Sequence, residues 1–249
     1  MTFNQANMNS TILGQHADSM AFDFRRAALW HWIERYMPRG VRTLDAGCGT
    51  GYMTRRLASL GNETVGLEHD ATLADFARST LANEAWQVPV HQMPLGDGSV
   101  RQLGEFGAMI CLDVLEHIED DRAALRDLAA VLRPEGVLLI SVPAMPALYG
   151  KRDEHIGHFR RYSPAMLRAL IADAGLRLDA PVRYWNALGV PPYWWYEKIL
   201  QRPINDELRK PSDSSLKRFI GKALYAHLYI ETYLLLPLGL SLLARCRKA

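Results

Sequence analysis

The sequence predicts an α/β fold: a mostly parallel sheet of seven strands, helices on both faces, and a helical insertion between strands six and seven. Two observations lead to this prediction. Short continuous apolar runs, typical of strands buried on both faces, alternate with segments of helical periodicity along most of the 249 residues. A glycine-rich turn also separates the first apolar run from the first helical segment, as in sheets that bind ligands at their carboxyl edge.

Seven segments are predicted to be strands, most of them short apolar runs bounded by polar residues. They lie at residues 41–46, 64–68, 86–90, 106–112, 136–142, 176–184 and 239–247. Helical spacing is found between them. Met53, Leu57 and Leu60 form one apolar stripe, which we expect to face the sheet.

The 249 residues, 49% of them hydrophobic, are enough to bury one core, and we predict a single domain. It has four predicted parts. They are an N-terminal arm and helix (1–40), a ligand-binding core (41–185), a helical insertion or lid (191–236) and a last strand (238–248).

The charge balance favours no polyanionic partner, because 29 Lys and Arg stand against 27 Asp and Glu. Nucleic acid is therefore not expected as a partner. Cys48, Cys111 and Cys246 are scattered, so neither a disulfide framework nor a CxxC zinc site is predicted. Residues 1–20 are polar and do not resemble a secretory signal, and a cytoplasmic location is expected.

One apolar run near the C-terminus invites a membrane interpretation. Residues 232–244 contain 13 residues between Glu231 and Arg245, whereas a spanning helix needs roughly 20. Pro237 and Gly239 also divide the run, which favours a turn between a helix and a strand. At most peripheral membrane contact is predicted.

The strongest chemical signal is the motif LDAGCGTG at residues 44–51, between the first strand and the first helix. Its glycines allow a sharp turn and a close approach of the backbone to a ligand. The spacing is GxGxG, not the GxGxxG of dinucleotide-binding turns, because Tyr52 occupies the position of the last glycine. Glu68 ends the second strand, where an acidic side chain can accept hydrogen bonds from ribose hydroxyls.

Four segments in order resemble the motifs of the class I S-adenosylmethionine-dependent methyltransferases. They are LDAGCGTG (44–51), VGLEHD (65–70), CLDVLEHI (111–118) and VLRPEGVLLISVP (131–143). The resemblance covers roughly residues 41–185 and implies a Rossmann-like methyltransferase domain with S-adenosyl-L-methionine as cofactor. The layout is similar to methyltransferases of bacterial glycan and secondary-metabolite pathways and to ubiquinone-biosynthesis O-methyltransferases.

The resemblance also implies a set of cofactor-binding residues. They are Asp45, Gly47, Cys48, Gly49, Gly51, Glu68, His69, Met93, Leu112 and Asp113. Asp45 and the glycine backbone would hold the methionine part, Glu68 the ribose hydroxyls, and His69 would pack beside the adenine. Many relatives carry an Asp that contacts the adenine amino group where this chain has His91 or Gln92 in the sequence HQMPL.

Asp113, Glu116 and His117 follow the fourth strand and should lie at the same sheet edge as the glycine turn. We predict His117 as the catalytic base for an acceptor hydroxyl, because an imidazole exchanges its proton near neutral pH. The alternative is that all three side chains have structural or cofactor contacts.

A second hypothesis uses the same residues as metal ligands. Asp-x-x-Glu-His resembles the Glu-x-x-Glu-His metal site of small-RNA 2′-O-methyltransferases, with Asp113 as a shorter first ligand. The hypothesis requires one more histidine, either His155 or His158. A metal-assisted O-methyltransferase is therefore an open alternative.

Substrate recognition is predicted in two segments outside the motifs. The cationic stretch 153–163 could clamp an anionic or sugar-bearing acceptor, or its arginines could pair with Asp153 and Glu154. The aromatic-rich insertion 191–236 could cover the acceptor pocket, or serve as core or homodimer contact. From residue 197 onward, 10 Lys and Arg stand against 5 Asp and Glu, which would also suit an anionic bilayer.

The leading functional hypothesis is a methyltransferase that acts on the hydroxyl oxygen of a small or lipid-linked acceptor. A non-catalytic cofactor-binding module that serves a partner protein is a further alternative. RNA methylation is disfavoured by the near-neutral charge and by the lack of an RNA-binding appendage.

Overall fold

The computed structural model describes residues 24–200 and 215–248, with side chains from residue 219 onward in the second range. Most of the predicted N-terminal arm and the middle of the predicted insertion lie outside these residues. The strands are β1 (Arg42–Ala46), β2 (Glu63–Glu68), β3 (Val90–Gln92), β4 (Phe106–Leu112), β5 (Leu132–Pro143), β6 (Leu176–Leu178), β7 (Arg183–Trp185) and β8 (Ser241–Lys248). The helices are α1 (Phe24–Tyr36), α2 (Tyr52–Ser59), α3 (Ala71–Leu81), α4 (Asp121–Val131), α5 (Lys151–His155), α6 (Pro164–Asp173), α7 (Val190–Trp194) and α8 (Ser215–Glu231).

The strands form one sheet in the order β3-β2-β1-β4-β5-β8-β6, and β7 also pairs with β8. β1 to β5 are parallel to one another, whereas β8 runs antiparallel to β5, β6 and β7. The predicted mostly parallel, Rossmann-like sheet is therefore confirmed. Among the described residues, α7 and α8 lie between β7 and β8, where the helical insertion is expected.

The predicted sixth strand is broken in two. Leu178 pairs with Cys246 and Arg183 pairs with Leu243, so five steps along this segment match only three along β8. Two extra residues must bulge out, and Pro181 lies at the bulge, where it has no N–H to donate to the ladder. The segment therefore supplies two short strands, β6 and β7, which pair with the same side of β8.

The third and fifth strands differ from the predicted bounds. β3 begins at Val90, because its pairing with β2 runs from Gly66–Val90 to Glu68–Gln92, and the predicted run 86–90 overlaps it only at its end. Trp86 and Gln87 are exposed and do not belong to a strand. β5 is longer than predicted and begins at Leu132, directly after α4.

Alternating residues of the central strands form two cores, one on each side of the sheet. In β4, Met109 and Cys111 pack in one core, and Ala108 and Ile110 pack in the other. α4 and α6 cover the first side, and α1, α2 and the buried Trp185 cover the second. Within residues 24–200 and 215–248, each helix is too short or too polar to cross a membrane.

The cationic stretch after β5 begins within a short helix, α5, and continues as non-helical chain. Its Arg161 is buried and donates through Nε to the buried carboxylate of Asp153 at 2.8 Å. The same guanidinium donates to the Ala144 carbonyl and to the hydroxyl of Tyr193 in α7. Arg161 therefore pairs with residues of its own chain, which agrees with the interpretation that the arginines of this stretch pair with its acidic residues. Its contact with Tyr193 also joins α7 to the core.

Replacing Arg161 with alanine is expected to lower the free energy of unfolding by about 3 kcal/mol, because it leaves the buried Asp153 without its cation. Arg160→Ala is the matched control, since Arg160 is more exposed and pairs with Asp121 at 2.8 Å. Its loss should cost about 1 kcal/mol. Denaturant unfolding of both variants checks the difference, and equal losses would contradict it.

Candidate functional site

The glycine-rich turn leaves β1 at the carboxyl edge of the sheet. Gly47, Gly49 and Gly51 have φ of 78°, 54° and 84°, a region that other residues rarely adopt. A Cβ atom on Gly47 would also lie 2.3 Å from Cγ2 of Val114. The turn therefore requires glycine at position 47 for both reasons, and it abuts the loop that follows β4.

Glu68 is fixed against this turn. Its Oε2 accepts a hydrogen bond from the Gly49 N–H at 2.8 Å, and its Oε1 accepts one from the Asp70 N–H at 3.0 Å. Each carboxylate oxygen can accept a further hydrogen bond, so the pair can still bind two adjacent hydroxyls. The side chain is thus held where the sequence predicts recognition of ribose.

Asp45 lies beneath the turn at the end of β1. It is 2% exposed, and its Oδ2 accepts a hydrogen bond from the Thr54 hydroxyl at 2.7 Å. Burial is the main cause that raises the pKa of Asp45 to about 7, and the nearby Glu68 adds to it. The sequence predicts that Asp45 holds the methionine part of the cofactor, and a cationic group there would favour its charged form.

The raised pKa of Asp45 predicts a stability that falls as pH rises in the absence of cofactor. The folded state binds the Asp45 proton more tightly than the unfolded state, so this contribution is complete at low pH and is lost as pH approaches 7. Asp45→Asn should remove it, and wild type should lose about 5 °C more in Tm than the variant between acidic and mildly alkaline buffer. Parallel melting curves would contradict the prediction.

The other predicted cofactor residues lie near the same edge. His69 follows β2 and is exposed, Leu112 ends β4, and the N–H of Met93 donates to the Glu68 carbonyl at 3.0 Å. Cys48 is buried, and burial raises the pKa of its thiol. Its N–H donates to the Leu67 carbonyl, so its visible role is to hold the turn against β2.

Asp113 follows β4 with a positive φ of 53°. Its carboxylate accepts hydrogen bonds from the Ser141 hydroxyl at 2.9 Å and from the Arg25 guanidinium at 3.0 Å. Burial alone would raise the pKa of Asp113, but Arg25 and the Ser141 hydrogen bond outweigh it and lower the pKa. Arg25 lies 88 residues earlier in the chain, and sequence reasoning missed it because no motif surrounds it.

Glu116 is fully buried, and neither of its carboxylate oxygens has a hydrogen-bond partner within the described residues. Burial, and then the charge of Asp113, raise the pKa of Glu116 well above its ordinary value. A buried carboxyl group without partners is costly unless a proton or a cation compensates it. Glu116 is therefore a group of this site that needs a proton or a bound cation.

Two histidines lie beside Glu116. The rings of His117 and His158 are 4.6 Å apart between centroids, and one ligand atom from each of Glu116, His117 and His158 lies within 4.8 Å of the others. Asp153 holds His158 through a contact of 2.8 Å to Nδ1, which directs Nε2 toward Glu116 at 3.9 Å. His117 is exposed at one side, but desolvation of its ring and the neighbouring His158 lower its pKa, which favours a neutral imidazole.

This arrangement changes the predicted ligand set. The metal hypothesis names Asp113, Glu116 and His117 as ligands, together with His155 or His158. The structure gathers Glu116, His117 and His158, whereas the Asp113 carboxylate already accepts hydrogen bonds from Arg25 and Ser141. His155 lies outside this group, because it ends α5 and is exposed. The three gathered side chains fit a divalent cation, since carboxylate and imidazole are ordinary ligands of Mn²⁺ and Zn²⁺.

Comparison with known proteins finds methyltransferases, as the sequence motifs predict. A methyltransferase domain model matches residues 44–140. The ubiquinone biosynthesis O-methyltransferase of Xanthomonas axonopodis pv. citri is 32% identical over 158 residues, which cover 58% of this chain and 66% of that protein, just under two thirds.

Solved structures show the same fold. A putative methyltransferase of Haloferax volcanii, in complex with the Trm112 methyltransferase activator, has a TM-score of 0.61 at 18% identity and covers 98% of this chain and 95% of that one. An S-adenosylmethionine-dependent methyltransferase of Mesorhizobium loti has a TM-score of 0.61 at 15% identity, with 90% and 99% covered. The glycine turn and Glu68 thus lie within a methyltransferase domain match, residues 44–140, and the chain has the fold of solved S-adenosylmethionine-dependent methyltransferases.

Proposed function

We propose that this chain transfers the methyl group of S-adenosyl-L-methionine to a hydroxyl oxygen of a small or lipid-linked acceptor. One observation carries the proposal. The turn that holds Glu68 abuts the loop after β4. That loop carries Glu116, which has no hydrogen-bond partner in the described part of the chain, beside two imidazoles. A cofactor cradle and proton-accepting groups thus share one edge. The oxygen acceptor is further supported by the O-methyltransferase at 32% identity.

In this proposal the cofactor supplies an electrophilic methyl group on a sulfonium, which needs no acid to leave. The chain must then hold the acceptor oxygen in line and remove its proton. Asp45 and the turn from Gly47 to Gly51 would bind the methionine part, and Glu68 would bind the ribose. His69, Met93 and Leu112 would lie along the adenine, and Asp113 would take a cofactor or acceptor contact beside Arg25.

His117 is the candidate base of the sequence analysis. Its lowered pKa keeps the imidazole neutral, so it can accept a proton, although it would be a weaker base than an ordinary histidine. A neutral His117 supplies no positive charge to stabilise an acceptor oxyanion.

A specific observation favours a metal-assisted form of the same reaction. Glu116 has no hydrogen-bond partner within the described residues, and a ligand atom of it lies within 4.8 Å of ligand atoms of His117 and His158. A divalent cation held by these side chains would lower the pKa of an acceptor hydroxyl. The side chains would hold the cation, and Asp153 would keep His158 oriented.

The experiment supplies labelled S-adenosylmethionine and two acceptor pools, a polar metabolite fraction and a membrane lipid extract. Release of S-adenosylhomocysteine, with base-stable label in one pool, is the expected result. Cofactor binding without transfer to either pool would favour the non-catalytic module. Absence of cofactor binding would overturn the proposal.

A further inference from the structure

Exposed apolar side chains are concentrated in one part of the chain. Among the described residues, 16 large apolar side chains are more than a third exposed, and 13 of them lie between residues 188 and 238. Leu235 is 64% exposed, Leu188 55% and Trp195 51%. Scattered single residues of this kind are normal on a protein surface, but such a concentration marks an interaction site.

Two segments supply most of these side chains, residues 188–200 and residues 230–238, and we call them together the apolar face. They meet at one corner of the sheet. Asn186 and Ala187 donate their N–H groups to the carboxylate of Glu231 at the end of α8, and the Leu240 N–H donates to the Asn186 carbonyl.

That corner is also the edge where the candidate site lies. Trp185, the last residue of β7, pairs with Ser241, the first residue of β8. The Ser241 hydroxyl accepts a hydrogen bond from Arg25, and Arg25 also contacts Asp113 in the site. The apolar face therefore begins next to the proposed acceptor pocket.

Among the described residues around this face, the exposed charges are all positive. Residues 183–200 and 219–238 contain two carboxylates, Glu197 and Glu231, and both are buried. The same ranges contain Arg183, Lys198 and Lys222. Exposed aromatic and aliphatic side chains with cations and without exposed carboxylates match the interface of an anionic bilayer, where the rings enter the headgroup region and the cations meet phosphate.

We propose that the apolar face docks reversibly on an anionic lipid bilayer and brings the site edge to the membrane surface. Docking would let an acceptor with a lipid tail present its hydroxyl to the pocket while its tail stays in the bilayer. This consequence rests on the proposed function, whereas the docking itself depends only on the surface.

The test is co-sedimentation of the full chain with vesicles of phosphatidylcholine and phosphatidylglycerol, and with vesicles of phosphatidylcholine alone. Wild type should bind the mixed vesicles, and added salt should weaken the binding. The variant Trp195→Glu with Leu235→Glu should bind at least about tenfold more weakly. The matched control, Trp86→Glu with Met166→Glu, replaces exposed residues outside the apolar face and should bind like wild type.

Both variants should retain wild-type melting temperature and cofactor binding, which separates lost docking from lost folding. Wild type that binds neither kind of vesicle, or a control variant that binds as weakly as the double Glu variant, would overturn the inference. A wild-type dimer that the Trp195→Glu, Leu235→Glu variant abolishes, without vesicle binding, would assign the face to a second copy of the chain. Because neither assay contains an acceptor, failure here leaves the proposed methyl transfer intact, and failure of methyl transfer leaves docking intact.

Discussion

Replacing Glu68 with alanine is expected to weaken the binding of S-adenosylhomocysteine by about a hundredfold. The side chain would lose two charge-assisted hydrogen bonds to the ribose hydroxyls. It would also release the Gly49 N–H at 2.8 Å and the Asp70 N–H at 3.0 Å, so the turn itself would lose its anchor. Isothermal titration calorimetry with the purified chain measures the change directly.

Glu63 provides a matched control at the other end of the same strand. Its side chain is 73% exposed and pairs with Arg42, far from the turn. Glu63→Ala should therefore change the affinity by no more than about twofold. If both variants bound the ligand equally well, Glu68 would have no part in the cofactor site, and the position of the ribose would have to be sought elsewhere.

The features that sequence reasoning predicted are those that local chemistry determines. The LDAGCGTG turn needs left-handed backbone at three positions, and only glycine adopts this conformation readily. The glycines of the motif are therefore enough to predict the turn. Glu68 was identifiable because it ends a buried run, and parallel strands bring their carboxyl ends to one edge.

Other parts of the site depend on contacts between distant segments, which no local pattern reveals. Arg25 reaches Asp113 across 88 residues, and Tyr193 reaches the Asp153–Arg161 pair from α7. The choice of His158 over His155 depends on the end of α5 and on the hydrogen bond to Asp153. The spacing leaves both histidines possible, because two residues of unknown conformation lie between them.

The break in the predicted sixth strand has a similar origin. The segment is apolar enough for one strand, and only its register against β8 shows that two residues are in excess. Pairing partners far along the chain decide such bulges. The apolar periodicity thus predicted the layer arrangement correctly and the bounds of β3, β5 and β6 less well.

Glu116→Gln is expected to lower methyl transfer by at least about a hundredfold if the Glu116, His117 and His158 cluster holds a divalent cation. An amide has the shape of the carboxyl group but is a poor ligand without negative charge. Wild-type activity should accordingly disappear with a chelator and return with Mn²⁺ or Mg²⁺. The variant should not recover with either ion, and it should fail to bind Mn²⁺ in a direct titration.

The same substitution should leave the fold intact. Both Glu116 oxygens are buried without partners within the described residues, and burial raises the pKa of the group, so the cation-free protein already favours a neutral side chain at this position. Glutamine preserves that neutrality, and the melting temperature without metal should stay the same or rise. Glu119→Gln, an exposed neighbour with the same change, should keep full activity.

The pair of measurements therefore separates the two mechanisms. Activity that survives both the chelator and Glu116→Gln would rule out the cation and leave His117 as the acceptor base, with Glu116 as a buried neutral acid. Suppose instead that the chelator abolishes activity, and that Glu116→Gln is inactive at unchanged stability and does not recover with added ion. The acceptor hydroxyl would then lose its proton while a metal ion binds it. In that case His117→Asn should lose Mn²⁺ binding along with activity, which a base alone would not do.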